Sequence, residues 1–172
     1  RAEAEVRCGG RGGCAARIQI ICTLTPLLTS LLCSQIFTNS GERKTIKYEG
    51  EGWHQIEALS VFKKVGGRKV DPAWEDPLNA AGGEFRVADI GTPKEMDKMW
   101  RTLLMSLVGE TLDPENTING VRVVDKCRGS SNQYRFEIWT STKFESAPGV
   151  KKAIENELQR ILEVRTVKWA NH

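Results

Sequence analysis

The sequence predicts an α+β domain, an antiparallel sheet with helices packed on one face. Two observations carry this. Three stretches alternate apolar and polar residues with the two-residue period of a half-buried strand: "GEFRVADI", "GVRVVDKC" and "YRFEIWTST". Two others repeat apolar residues at helical spacing, "TPKEMDKMWRTLLMSLVGE" and "APGVKKAIENELQRIL". The joins between strands read as hairpin loops, and this places the helices together on one side of the sheet. At 172 residues the chain is long enough for one domain with a real core. Its net charge of +3 is too mild to mark a nucleic-acid protein by itself, so any basic function has to come from local clustering.

The elements follow in order. Residues 1–17 contain "RCGGRGGCAAR" and are expected to be a flexible Gly/Arg-rich segment, leaving 18–172 as a single domain. Residues 18–37 carry no charge, and their length alone would permit a membrane span. Pro26 in the middle and the many Thr, Ser and Gln residues argue instead for an extended segment with an early strand. Trp53 precedes what reads as a short helical stretch in "EGEGWHQIEALSVF". Residues 83–90 are a strand. Residues 92–110 are a helix with Thr92 as cap, Pro93 in the first turn and Gly109 at the stop. Its buried stripe is Met96, Trp100, Leu103, Leu104 and Leu107. Two strands then flank the polar loop "RGSSNQ". A second helix buries Val150, Ile154, Leu158, Ile161 and Leu162, and "VRTVKWA" is a last strand.

Several function classes recede on composition. The five cysteines are odd in number and form no CxxC pair, and His54 and His172 are the only histidines. A zinc site is therefore not expected, and reduced thiols suit a cytosolic or nuclear protein. No nucleophile–base pair or metal set is visible, which argues against an enzyme, and no cofactor is implied.

Strand parity directs attention to the face opposite the helices. In "YRFEIWTS", Tyr134, Phe136, Ile138 and Thr140 point to the core, and Arg135, Glu137, Trp139 and Ser141 point away from it. Arg135 and Trp139 then share the open face, about 13 Å apart along the strand at ~3.3 Å per residue. Lys126 and Arg128 lie nearby. The stretch "VDPAWEDPLNAAGG" offers two readings. Trp74 could plug a core beside a solvated acidic turn, or ring and carboxylate together could receive a base.

"DPAWEDPLNAAGG" resembles the Pro-x-Trp-Glu-Asp-x5-Gly-Gly signature of the eukaryotic translation initiation factor 4E family, which binds the messenger-RNA 5′ cap. "DKMWRTLLMSLVGETLD", "GVRVVDKC", "FEIWTST" and "VRTVKWANH" resemble the helix and strands that follow it there, in the same order. The resemblance spans residues 59–172. It implies a curved sheet with helices on the convex face and a cap pocket on the concave face. It also implies a stacking role for Trp74, and for Glu75 a role as acceptor for the guanine edge. Trp139 would contact the N7 methyl, and the neighbourhood of Lys126, Arg128 and Arg135 would hold the phosphates. A cationic 7-methylguanine stacks well on electron-rich indole, which is why such a site needs tryptophan. The implied partners are capped messenger RNA and an initiation scaffold protein that docks a short helical motif.

The sequence departs from the family pattern in places. After the two glycines stand Glu84 and Phe85, where a basic residue and Trp are usual. Glu137 sits between Arg135 and Trp139 and would repel phosphate unless paired. The first stacking aromatic is open between Trp53 and Phe37, with its absence a third option. Trp53 is equally a candidate for the partner-binding face, together with Arg101, Thr102 and Met105, which fall opposite the buried stripe of the first helix. A non-catalytic interaction module or translational repressor that reads caps weakly is the second functional reading.

Overall fold

The computed structural model describes residues 4–9, 17–23, 45–47, 53–90, 92–113, 115–126, 133–145 and 147–172. Ten strands and two helices are present among them: β1 (Ala4–Gly9), β2 (Arg17–Thr23), β3 (Thr45–Lys47), β4 (Trp53–Phe62), β5 (Lys64–Val65), β6 (Arg68–Lys69), β7 (Gly83–Ile90), α1 (Pro93–Val108), β8 (Ile118–Asp125), β9 (Tyr134–Thr140), α2 (Pro148–Leu162) and β10 (Lys168–Asn171). The main sheet runs β1-β2-β4-β8-β9-β7-β10, with β3 also paired to β4, and β5 and β6 form a separate two-stranded ribbon. Every pairing is antiparallel except β2 with β4. The α+β class read from the sequence is the class observed.

The helices form as their sequences dictate. Thr92 is extended and its side chain accepts a hydrogen bond from the Glu95 backbone N–H at 3.2 Å, while its hydroxyl meets the Glu95 carboxylate at 2.8 Å. The first contact satisfies one of the N–H groups that the first helical turn leaves open, and in the second the Thr92 hydroxyl donates to the carboxylate. Helix α1 ends at Gly109, whose N–H returns to the Met105 carbonyl. Met96, Trp100, Leu103 and Leu104 are buried and Leu107 packs against the same core. From α2, Ile154, Leu158 and Leu162 are buried, with Val150 and Ile161 at the margin. These stripes meet the inward residues of the sheet, Leu59, Val61, Phe85, Val87, Val121, Val123, Phe136 and Ile138. Trp100 lies parallel to Phe136 with ring centroids 5.9 Å apart.

A second, smaller cluster sits on the opposite face: Phe62, Val70 and Trp139, with Leu78 against them. Residues 63–82 cover this end of the sheet. The covering segment starts with the β5–β6 ribbon, whose turn residues Gly66 and Gly67 both take positive φ, a conformation that side chains with a Cβ resist.

Two expectations are corrected. The stretch after Trp53 is not helical: residues 53–62 are strand β4, ladder-bonded to β2, β3 and β8. A short apolar run cannot be told from a helical turn by local pattern, and here pairing on both edges decides it. Within the first seventeen residues, expected to be flexible, Ala4–Gly9 is strand and pairs with β2. Backbone ladder bonds need no particular side chain, so composition did not reveal them. The extended character expected of residues 18–37 appears in β2; Phe37 lies outside the described residues. No helix among the described residues is long and apolar enough to cross a membrane.

Candidate functional site

Between β6 and β7 the chain makes a series of turns that hold Trp74 and Glu75 away from the core. Pro72 presets the backbone at the entry. Ala73 N–H donates to the Asp71 carbonyl at 2.8 Å, and Asp76 N–H to the Ala73 carbonyl at 3.2 Å. Asp76, 6% exposed, locks the turn from inside. Its Oδ2 accepts from Arg68 Nη1 and the Asp71 N–H, both at 2.9 Å, and its Oδ1 from Arg68 Nη2 at 2.7 Å and the Leu78 N–H at 2.9 Å. The Arg68 guanidinium, helped by those backbone N–H groups, pulls the Asp76 carboxyl down from 3.8 to about 2.

A buried amide pair fastens the same loop to the sheet. Asn79, fully buried, donates to the Asp71 and Ala73 carbonyls at 2.7 and 3.0 Å. Its Oδ1 accepts from Asn119 of β8 at 2.9 Å, and Asn119 also donates to the Leu78 carbonyl at 2.7 Å. After the loop, the backbone closes onto the sheet so tightly that a Cβ at Gly82 would stand 1.8 Å from the Thr140 carbonyl oxygen. The loop of "PAWEDPLNAAGG" is thus held at both ends and in its middle, with the two residues after Ala73 left facing outward.

Trp74 is 57% exposed and Glu75 is exposed beside it. An indole with that much surface in water holds little of the core, so the core-plug reading of Trp74 does not describe this fold. Both residues border a cavity of about 380 Å³ on the sheet face opposite the helices, lined also by Pro72, Ala73, Glu84, Arg86, Arg122, Arg135, Glu137 and Trp139.

The strand register explains that lining. Arg122 of β8, Glu137 of β9 and Arg86 of β7 stand in one cross-strand row, and Gly120, Trp139 and Glu84 form the next. Glu137 is buried and accepts from Arg135 Nε at 2.9 Å; Arg135 Nη2 contacts the same oxygen, Arg122 Nη1 lies 3.7 Å from the other, and Trp139 Nε1 is 3.4 Å from it. Glu84, also buried, pairs with Arg86.

The structure therefore brings together Trp74, Glu75, Arg135 and Trp139, four of the residues singled out from the sequence. Trp139 differs from expectation in one respect. It lies on the predicted face but is only 1% exposed, covered by Phe62 at 5.7 Å edge-on and by the His172 ring at 4.6 Å. Parity gives the face of a residue; whether something lies on that face depends on distant chain. Lys126 is exposed just past the end of β8 and is not part of the lining. Arg128 lies outside the described residues, as does the side chain of Trp53, whose backbone starts β4.

Sequence reasoning missed Arg86, Arg122 and His172. Parity could have found the first two, since they alternate with buried Phe85, Val87, Val121 and Val123 on strands adjacent to β9. His172 carried no local signal. Its ring stacks beside Trp74 at 6.1 Å and 23°, and its Nδ1 meets the Asn79 carbonyl at 3.1 Å. On the helical side, Met105 is 62% exposed, Arg101 is exposed and Thr102 half-buried.

The family model for eukaryotic initiation factor 4E matches residues 51–172. The eukaryotic translation initiation factor isoform 4E of Arabidopsis thaliana is 37% identical over 105 residues, 60% of this chain and 51% of that protein. Initiation factor 4E of Saccharomyces cerevisiae is 36% identical over 75 residues, 43% of this chain and 33% of that protein. The chain spans about half the length, or less, of the curated relatives it matches. Among solved structures, Ascaris suum eIF4E-3 with the m7G cap superposes with a TM-score of 0.51 at 26% identity, over 60% of this chain and 59% of that one. Caenorhabditis elegans eIF4E-3 in complex with the 4E-binding protein Mextli gives 0.52 at 26%, over 60% and 61%. With the signature loop present and a family model matching residues 51–172, most of its length, the chain belongs to the eukaryotic initiation factor 4E family.

Proposed function

We propose that this protein binds the 7-methylguanosine 5′ cap of messenger RNA in the pocket beneath Trp74. The observation that carries the reading is the exposed indole of Trp74 beside the exposed Glu75, at the mouth of a cavity and on a loop pinned from within by Asp76 and Asn79. A fixed ring and an adjacent carboxylate are what a cationic purine requires: stacking on one face, and acceptors for the paired N–H donors of the guanine edge. Trp139 closes the inner wall near the N7 side, and Arg135 stands toward the phosphates. The cap-bound Ascaris suum neighbour supports the reading.

The test compares binding of 7-methylguanosine triphosphate and guanosine triphosphate by tryptophan fluorescence. The methylated ligand should quench emission and bind more tightly, and Trp74→Ala and Glu75→Gln should each lose that binding without losing the fold. If both variants bind the methylated ligand like the parent, the reading fails.

A second role concerns the helical face. Met105 is a large apolar side chain left in water on α1, with Arg101 and Thr102 nearby, and a flexible thioether suits a groove that accepts a helix. We propose that this face, together with Trp53, recruits an initiation scaffold through a short helical motif, as the complex of the Caenorhabditis elegans neighbour with a 4E-binding protein supports. The same contact would serve a translational repressor that reads caps weakly. Met105→Glu should abolish scaffold-peptide binding and leave cap binding intact; loss of both would place the partner elsewhere.

A further inference from the structure

The pocket holds three arginines, and each is engaged by a carboxylate on the same surface. Arg135 donates to Glu137, Arg122 lies 3.7 Å from the other oxygen of Glu137, and Arg86 is paired with Glu84. Both glutamates are buried. A buried carboxylate depends on its cations, because removing one partner leaves an uncompensated charge out of water. An incoming phosphate would have to share or withdraw those guanidinium groups while lying close to Glu84 and Glu137, like charges at short range. Glu84 sharpens this, since its Oε2 is buried with no hydrogen-bond partner among the described residues. At the other end of the cavity Trp74 and Glu75 stand exposed, and contact with a base breaks no such pairing.

Resting on the cap reading, we propose that Glu84 and Glu137 compensate the arginines of this pocket so that recognition is carried by the base, and affinity depends only weakly on the number of phosphates. Glu84 and Glu137 are then specificity-determining residues: they admit a methylated guanosine with a short phosphate chain nearly as well as one with a long chain. A phosphate chain gripped by uncompensated arginines would instead gain about tenfold or more for each charge-assisted contact, ~1.4 kcal/mol per factor of ten.

The experiment is calorimetric titration of the full chain with 7-methylguanosine, its 5′-monophosphate and its 5′-triphosphate, at one ionic strength of about 0.15 M so that screening is constant. The parent should bind the mono- and triphosphate within about threefold of each other, a difference under ~1 kcal/mol. Glu137→Gln should tighten the triphosphate relative to the nucleoside by about tenfold, ~1.4 kcal/mol. A parent affinity that climbs steeply with phosphate number overturns the proposal alone. So does a folded Glu137→Gln or Glu84→Gln variant with the phosphate dependence of the parent. Should these variants fail to fold, the parent series by itself decides. If no methylated ligand binds, the cap reading falls, and this proposal with it.

Discussion

Replacing Asp76 by Asn tests the claim that the site is held in shape from inside. Each carboxylate oxygen of Asp76 accepts one Arg68 N–H and one backbone N–H. An amide turned either way presents its NH2 to two donors, so two hydrogen bonds are lost whichever orientation it takes. The folded carboxyl titrates at about 2 rather than 3.8, principally because of Arg68. A carboxyl held below its unfolded value contributes stability that is present above 3.8 and lost as pH falls through about 2. The difference corresponds to roughly 2 kcal/mol, and the half-exposed side chain of Arg68 reduces this to about 1–2 kcal/mol through solvent screening. Urea unfolding of parent and variant near pH 7 should show that gap. Near pH 2 it should largely close, because the parent's own carboxyl is then protonating. On the proposed cap reading, affinity for 7-methylguanosine triphosphate should also fall, although Asp76 does not line the cavity, since the turn that presents Trp74 is loosened. A gap that is absent at neutral pH, or that persists unchanged in acid, refutes the role assigned to Asp76.

Three further outcomes follow from burial and spacing. Trp139→Ala should cost ~3–5 kcal/mol in denaturant, as for a buried aromatic truncation, while Trp74→Ala should shift stability by no more than about 0.5 kcal/mol; the reverse order would invert the positions of these rings. Gly82→Ala should destabilise by more than the ~1–3 kcal/mol typical of overpacking, because its methyl would meet the rigid Thr140 carbonyl, and a melting temperature equal to the parent's would contradict that contact. Thr92→Ala should cost about 1 kcal/mol by loss of the α1 cap, measurable as a shifted urea midpoint.

Local chemistry made much of this legible. The α1 start is written in Thr92 and Pro93, and β7 in the alternation from Gly83 to Ile90, because a cap and a two-residue period are each decided within a few residues. The signature loop pointed to Trp74 and Glu75 for a similar reason: Pro72 and the two glycines act where they stand. What escaped were relations across the chain. Local pattern places Trp53 ahead of a helix, because the partners that make residues 53–62 a strand lie in β2, β3 and β8. Parity gives Trp139 its face but not its cover, since Phe62 and His172 reach it only in the folded molecule. The strand's own sequence leaves the partners of Glu137 open, and only cross-strand register brings Arg122 to it beside Arg135.

The buried amides of Asn79 and Asn119 have a kinetic consequence. Apolar packing tolerates small sliding, whereas four short, directional bonds inside the fold tolerate very little, and they anchor the loop on which Trp74 rides. A ligand arriving at this surface meets a ring already in place, so encounter should not wait on a slow closure step, and the ordering entropy that a mobile loop would surrender is spent during folding instead. Association should then appear as a single phase whose rate rises in proportion to ligand concentration, with the lifetime of the complex, on the proposed stacking, set by how fast the base slips away from the indole.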